Sequence, residues 1–116
     1  KSKEDVLIDM PIVVLVNKNS ASSSEILAGA LKDLEEATIV GTTTYGKGVI
    51  QQFLTLRSGA GLKVTVEEYY TPNRTKINGV GIEPNEKVEL PETVTNPFLV
   101  TRNEDTQLQK AVEILK

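Results

Sequence analysis

Two residue types in this chain can do acyl-transfer chemistry together, a serine and a lysine. Ser22 lies in the run SASSSE, at the start of a helical pattern. Lys47 lies in the glycine-flanked run YGKGVIQ. A lysine ammonium is useless as a base near neutral pH. Burial in a mostly apolar cleft lowers its pKa, because the charged form loses hydration. A neutral amine within hydrogen-bond reach of a serine hydroxyl can then take its proton and make it a nucleophile. Gln51 follows Lys47 by four residues, so on an extended strand it faces the same side. Its amide oxygen can accept from the lysine and aim it.

Two plainer readings stand beside this one. Ser22 and Glu25 have the S-x-x-E spacing of a capping box, in which the serine caps a helix and the glutamate reaches back. The readings are compatible: a helix start offers free backbone N–H groups and a positive dipole end, which also stabilise an oxyanion. Gly41 to Lys47 matches the G-x-x-x-x-G-K phosphate loop, but Gly48 stands where that loop needs Ser or Thr. The following residues read as a strand rather than the required helix. For the lysine, a solvated surface charge is the ordinary alternative.

Composition narrows the chemistry. The 116 residues contain no cysteine and no histidine. A thiol nucleophile, a disulfide, a Cys/His zinc site and a Ser-His-Asp triad within the chain are excluded. No metal or other cofactor is implied. The net charge of −3 gives no electrostatic footprint for nucleic acid. Apolar runs are far shorter than the roughly 20 residues of a membrane-spanning helix. Lys1 to Met10 is mostly polar and lacks a signal-peptide pattern. The start resembles a cut inside a longer protein.

The elements that must hold these residues are legible by pattern. Lys1 to Asp9 reads as an edge or loop. Pro11 to Val16 and Ala37 to Gly41 read as short strands buried on both faces, as in a parallel sheet. Between them Ile26, Leu27, Ala30, Leu31 and Leu34 form one apolar helical stripe, with Glu25, Lys32, Glu35 and Glu36 on the other side. Strand, helix and strand make a βαβ unit, with Ser20 to Ser23 and the loop after Val40 on one rim. Val49 to Leu56 and Gly61 to Tyr70 are expected to form a hairpin about Arg57 to Ala60. There Leu62, Val64 and Val66 alternate as on a half-buried strand. Pro72 to Thr75 is a turn, and the Asn73 sequon is read as part of it. Adjacent Glu67 and Glu68 point to opposite faces and do not make a carboxylate pair. Val88 to Leu90 reads as a last strand, Pro91 to Asn103 as a connecting tail, and Glu104 to Lys116 as a docking helix through Leu108, Ala111, Val112 and Leu115.

Three ordered segments, VLVNKNSASSSEILAGALKD, TIVGTTTYGKGVIQ and YYTPNRTKINGVGIEPN, resemble the core of the carboxyl-terminal processing (tail-specific) proteases. The likeness covers about Pro11 to Leu90, and the closing QLQKAVEIL resembles that family's end. It implies an α/β fold: a βαβ-containing sheet with packed helices, part of a spiral core related to crotonase and Clp-type proteases. The implied activity is a serine endopeptidase that cuts proteins near their C-terminus. Matching the motifs residue by residue makes Ser22 the nucleophile, Lys47 the base and Gln51 its orienter, with the Ser23 backbone N–H as oxyanion donor. Departures are Ser23 for Ala, Tyr45 for Phe, Asn73-Arg74 in the turn, and Asn85 for Asp.

By the same resemblance, residues 1–90 are the C-terminal half of the catalytic core and residues 91–116 a tail and docking helix. An upstream PDZ domain, which binds the substrate's C-terminus, and the first half of the core, with its glycine-rich turn, are absent. Polypeptide C-terminal segments are the expected substrates and that PDZ domain the expected partner, with no nucleic acid and no nucleotide. The family places the protein outside the cytoplasm, in the periplasm or at the cell envelope. The isolated chain is expected to have little or no protease activity. The alternative is a protease-like domain kept for binding or scaffolding.

Overall fold

The computed structural model describes residues 10–116; the segment Lys1 to Asp9, expected as an edge or loop, lies outside the described residues. Strand β1 (Val13–Val16) leads through a turn to helix α1 (Ser23–Asp33), and β2 (Thr38–Gly41) returns parallel to β1, with Val13 opposite Thr38 and Val16 opposite Gly41. The expected βαβ unit is therefore present. A two-residue strand, β5 (Glu86–Lys87), pairs parallel on the far side of β2, giving the order β1-β2-β5. It forms at Glu86–Lys87, two residues before the expected Val88 to Leu90. Asn85 explains the shift. Its side-chain oxygen accepts from the Ile39 N–H and its own N–H donates to the Ile39 carbonyl, so pairing begins at once.

Burial differs from the hydropathy pattern. β2 is buried as expected, with Ile39 and Val40 fully enclosed, but β1 is only half-buried and its Leu15 is exposed. Helix α1 is turned away from its leucine stripe. It buries Glu25, Ala28 and Gly29, while Leu27 and Leu34 are exposed. Close approach is the cause. A side chain at Gly29 would meet Thr71 Cγ2 at 2.8 Å and Ile82 Cδ1 at 3.0 Å, so only the small face of the helix fits against the 71–82 segment.

Strands β3 (Val49–Thr55) and β4 (Gly61–Glu68) form the expected antiparallel hairpin, with a register shift at Ile50/Gln51. It is a separate two-stranded sheet. Leu62, Val64 and Val66 do alternate on one face, but Leu62 and Val66 are exposed rather than half-buried, since no other described element packs there. Helix α2 (Thr106–Leu115) is capped by Asp105, which accepts from the Leu108 N–H, and lies against β1 and β2. The expected stripe is met in part: Ala111 is buried and Leu108 half-buried, while Val112 and Leu115 are exposed and Gln107, outside the stripe, is buried. Gln107 donates to the Val88 carbonyl and so ties the helix to the chain just after β5.

Candidate active site

The turn between β1 and α1 places Ser22. The Asn17 N–H donates to the Ser20 hydroxyl and the Ser20 N–H to the Asn17 carbonyl, closing a tight turn after β1. Ser22 then adopts φ 55°, ψ −118° at the N-cap of α1. That backbone region is disfavoured for a side-chain-bearing residue, at a cost of about 1–3 kcal/mol, and such strain concentrates at functional sites. A strained serine between a strand and a helix is the geometry that exposes a nucleophilic hydroxyl.

The expected capping box is present, with the Ser22 side chain toward the Glu25 backbone and the Glu25 side chain toward the Ser22 backbone. Glu25 accepts from the Ser22 N–H at 3.0 Å. On the serine side, the hydroxyl stands at the capping position but forms no regular capping hydrogen bond; the Glu25 N–H goes to the Ser22 carbonyl at 3.0 Å. Ser23 opens α1, and among the described residues its N–H has no acceptor. This is a helix-terminal donor of the kind that can face an oxyanion.

Glu25 organises the site to an extent its spacing does not announce. It is fully buried, although the helical pattern assigns it to the polar side of α1. Its carboxylate accepts four hydrogen bonds. One oxygen takes the Thr44 hydroxyl at 2.5 Å and the Gly46 N–H at 2.6 Å. The other takes the Lys47 N–H at 2.8 Å and the Ser22 N–H at 3.0 Å. Burial works to raise the Glu25 pKa, but the bonds from Thr44, Gly46, Lys47 and Ser22 outweigh it and hold it below the usual carboxylate range. A glutamate three residues after a helix-start serine signals only a cap; nothing in the one-dimensional pattern points to the loop 21 residues on.

The loop from Thr42 to Gly48 therefore lies against the elbow of Ser22, further held by the Tyr45 N–H on the Ser20 carbonyl at 2.9 Å. On its other side, the Gly79 N–H donates to the Gly46 carbonyl and the Thr44 N–H to the Ile82 carbonyl. The loop leads into a strand, which leaves the phosphate-loop reading without its helix.

Lys47 and Gln51 line one open cleft of about 580 Å³ with Asn19, Ala21, Tyr45, Gly46, Val49 and Asn78. The strand-parity expectation for the pair is only half met, because Lys47 precedes β3 and only Gln51 is in it. No hydrogen bond joins the two side chains among the described residues. Both are exposed. The apolar burial expected around Lys47 is therefore not provided by residues 10–116: the cleft is open on the lysine side. A second hollow of about 270 Å³ behind α1, lined in part by Asp33, Thr71 and Ile82, holds none of these residues. Asp33 lies there below its ordinary pKa, held down by the Thr71 hydroxyl and the Asn73 N–H. Glu68 pairs with Lys76 at 3.2 Å and stands in register opposite Val49, while Glu67 stands opposite Ile50.

Comparison with known proteins gives the family of this α/β frame. Residues 1–88 match the sequence profile of Peptidase family S41, and the chain belongs to that family. It is 49% identical over 107 residues to a carboxyl-terminal-processing protease of Synechocystis sp., covering 92% of this chain and 25% of the relative. It is 51% identical over 84 residues to the chloroplastic carboxyl-terminal-processing peptidase 1 of Arabidopsis thaliana, covering 72% of this chain and 17% of that protein. Among solved structures, a photosystem II D1 C-terminal processing protease superposes with a TM-score of 0.66 at 48% identity, over 70% of this chain and 22% of the other. The chain thus spans about a quarter or less of the length of these relatives.

Proposed function

We propose that this chain supplies the nucleophile and base of a serine endopeptidase that cuts polypeptides near their C-terminus. Ser22 Oγ attacks the scissile carbonyl carbon while Lys47 Nζ takes its proton. The Ser23 N–H stabilises the resulting oxyanion. Collapse expels the new amine, protonated by Lys47, and leaves an acyl ester on Ser22. Water, deprotonated by the same lysine, then hydrolyses the ester and regenerates the serine. Gln51 aims the lysine along the cleft.

The observation that carries this reading is that the backbone N–H groups of Ser22 and Lys47 meet on one oxygen of Glu25. Residues 25 apart in sequence, singled out on chemical grounds, are tied together through a single atom. The exposure of Lys47 favours a second part of the proposal. The wall that desolvates the amine comes from the rest of the catalytic core, as does the second oxyanion donor, so residues 1–116 alone have little or no activity. A PDZ domain elsewhere in the longer protein delivers the substrate C-terminus. Relatives from bacteria and chloroplasts fit an extracytoplasmic or lumenal location. The same exposure also favours the rival reading of a non-catalytic, protease-like binding domain.

Cleavage of an unstructured protein by the full-length protein separates the two. Ser22→Ala and Lys47→Ala are each expected to lower turnover by roughly 10³-fold or more. Lys47→Ala with most of its activity intact would sink the dyad. Ser22-dependent turnover by residues 1–116 alone would refute the dependence on the remaining core.

A further inference from the structure

The dyad leaves the most enclosed charged group of the described residues without a part in the reaction. We propose that Glu25 is a positioning residue for the dyad, and that it works through Thr44 as one unit with the turn at residues 77–82. This rests on the reading of Ser22 and Lys47 given above.

The bonding pattern specifies a carboxylate. A capping box needs one acceptor at this position, and glutamine serves there as well as glutamate. Here four donors converge, two on each oxygen. Thr44 Oγ1 accepts from the Ile82 N–H at 2.7 Å, so its own proton is the one that points to Glu25. A glutamine would turn an amide NH₂ against two donors whichever way it were flipped. An aspartate is one methylene too short to reach the loop while capping Ser22. Only an ionised glutamate satisfies every partner, through charge-assisted bonds.

The consequence for catalysis is geometric. Ser22 is held in a disfavoured backbone region, which persists only where surrounding contacts over-determine it. The Glu25 carboxylate is the contact that also fixes the Lys47 backbone. Loosening it lets the serine elbow and the lysine loop move independently, and a misplacement of about 1 Å between reacting groups costs on the order of 10²-fold in rate. The turn at 77–82 enters through Thr44. Gly81 has φ +79°, and a Cβ there would lie 2.5 Å from the Thr44 carbonyl oxygen and 3.1 Å from Thr44 Oγ1. Gly81→Ala pushes Thr44 off Glu25 and should reproduce, at a distance, the loss of the clamp.

The test measures kcat and KM on an unstructured protein substrate with the full-length protein, together with the rate at which a fluorophosphonate labels the serine. All values are taken per folded molecule by circular dichroism. Glu25→Gln is expected to lower kcat and labelling together by about 10²-fold, with KM within about twofold. Thr44→Val and Gly81→Ala should follow in the same direction with smaller losses, and Thr44→Ser should recover most of what Thr44→Val loses. Glu25→Gln with kcat within about threefold of the parent overturns the proposal, as does a loss confined to KM. If Glu25→Gln does not fold, the Thr44 pair decides: equal kcat for Thr44→Ser and Thr44→Val overturns it. Ser22→Ala is run in parallel. Its full activity would sink the nucleophile reading instead, so the two failures are distinguishable.

Discussion

Helix α1 and the β3–β4 hairpin both carry an apolar stripe, and both leave part of it open. Leu27 and Leu34 are exposed on the helix, as are Leu54, Leu62 and Val66 on the hairpin. The two differ in what holds them. The helix is locked by its other side, where a small-residue face lets the backbone close against residues 71–82 and a buried carboxylate gathers four donors. The hairpin relies on its own ladder, with Lys63 over the Phe53 ring at 5.5 Å as an outer brace. Hydropathy alone ranks the two stripes as core. Shape and hydrogen bonding decide otherwise, and the residue that couples helix to site is an acid.

The largest effect should come from removing that acid. Glu25→Ala orphans four donors, two in buried bonds and two in part-buried ones; with the buried pair at about 1–3 kcal/mol each and the other pair costing less, a total of roughly 3–8 kcal/mol is expected. That approaches the whole stability of a small domain. Urea unfolding of the chain should show a collapsed or absent transition; a midpoint near the parent's would break the comparison. Next is Ile39→Ala in the fully enclosed strand β2, expected to cost about 2–5 kcal/mol by the same measurement.

A smaller and graded effect follows from pH. The folded pKa of Glu25 lies below its ordinary value of 4.5. A depressed carboxylate stabilises the fold fully above its unfolded pKa, and that contribution fades as pH falls through the folded value. The stability gap between the parent and Glu25→Gln should therefore be constant near neutrality and narrow below about pH 4.5. A gap that widened in acid would contradict the assigned ionisation. The smallest effects belong to the other face of the hairpin, where Phe53 lies opposite Lys63. Phe53→Ala, at a residue 76% exposed, should change stability by no more than about 0.5–1 kcal/mol. A larger loss would mean that the hairpin packs against something in this chain.

Much of the fold was legible from local rules. Short β-branched runs, a helical period between them and a Gly-containing turn sufficed for the βαβ unit, the hairpin and α2. Which side each helix buries was not legible, because the deciding features are long-range: Gly29 against Thr71 and Ile82, and Gln107 on the Val88 carbonyl. The position of β5 was missed by two residues, since Asn85 mimics a strand residue with its side chain. At the site, residue chemistry and family motifs singled out the segments of Ser22 and Lys47, and the Ser20–Tyr45 and Glu25–Lys47 contacts bring those segments together. The clamp was not legible beyond its capping half. Its other three donors come from a loop whose approach only the folded chain reveals.

In the proposed reaction Ser22, and no neighbouring serine, is the activated hydroxyl, made so by Lys47. The most direct measurement is mass-spectrometric mapping of the fluorophosphonate adduct on the full-length protein and its Lys47→Ala variant. The expected result is one adduct, on Ser22, that forms far more slowly without Lys47. An adduct on Ser20, Ser23 or Ser24, or one on Ser22 whose rate ignores Lys47, would contradict it.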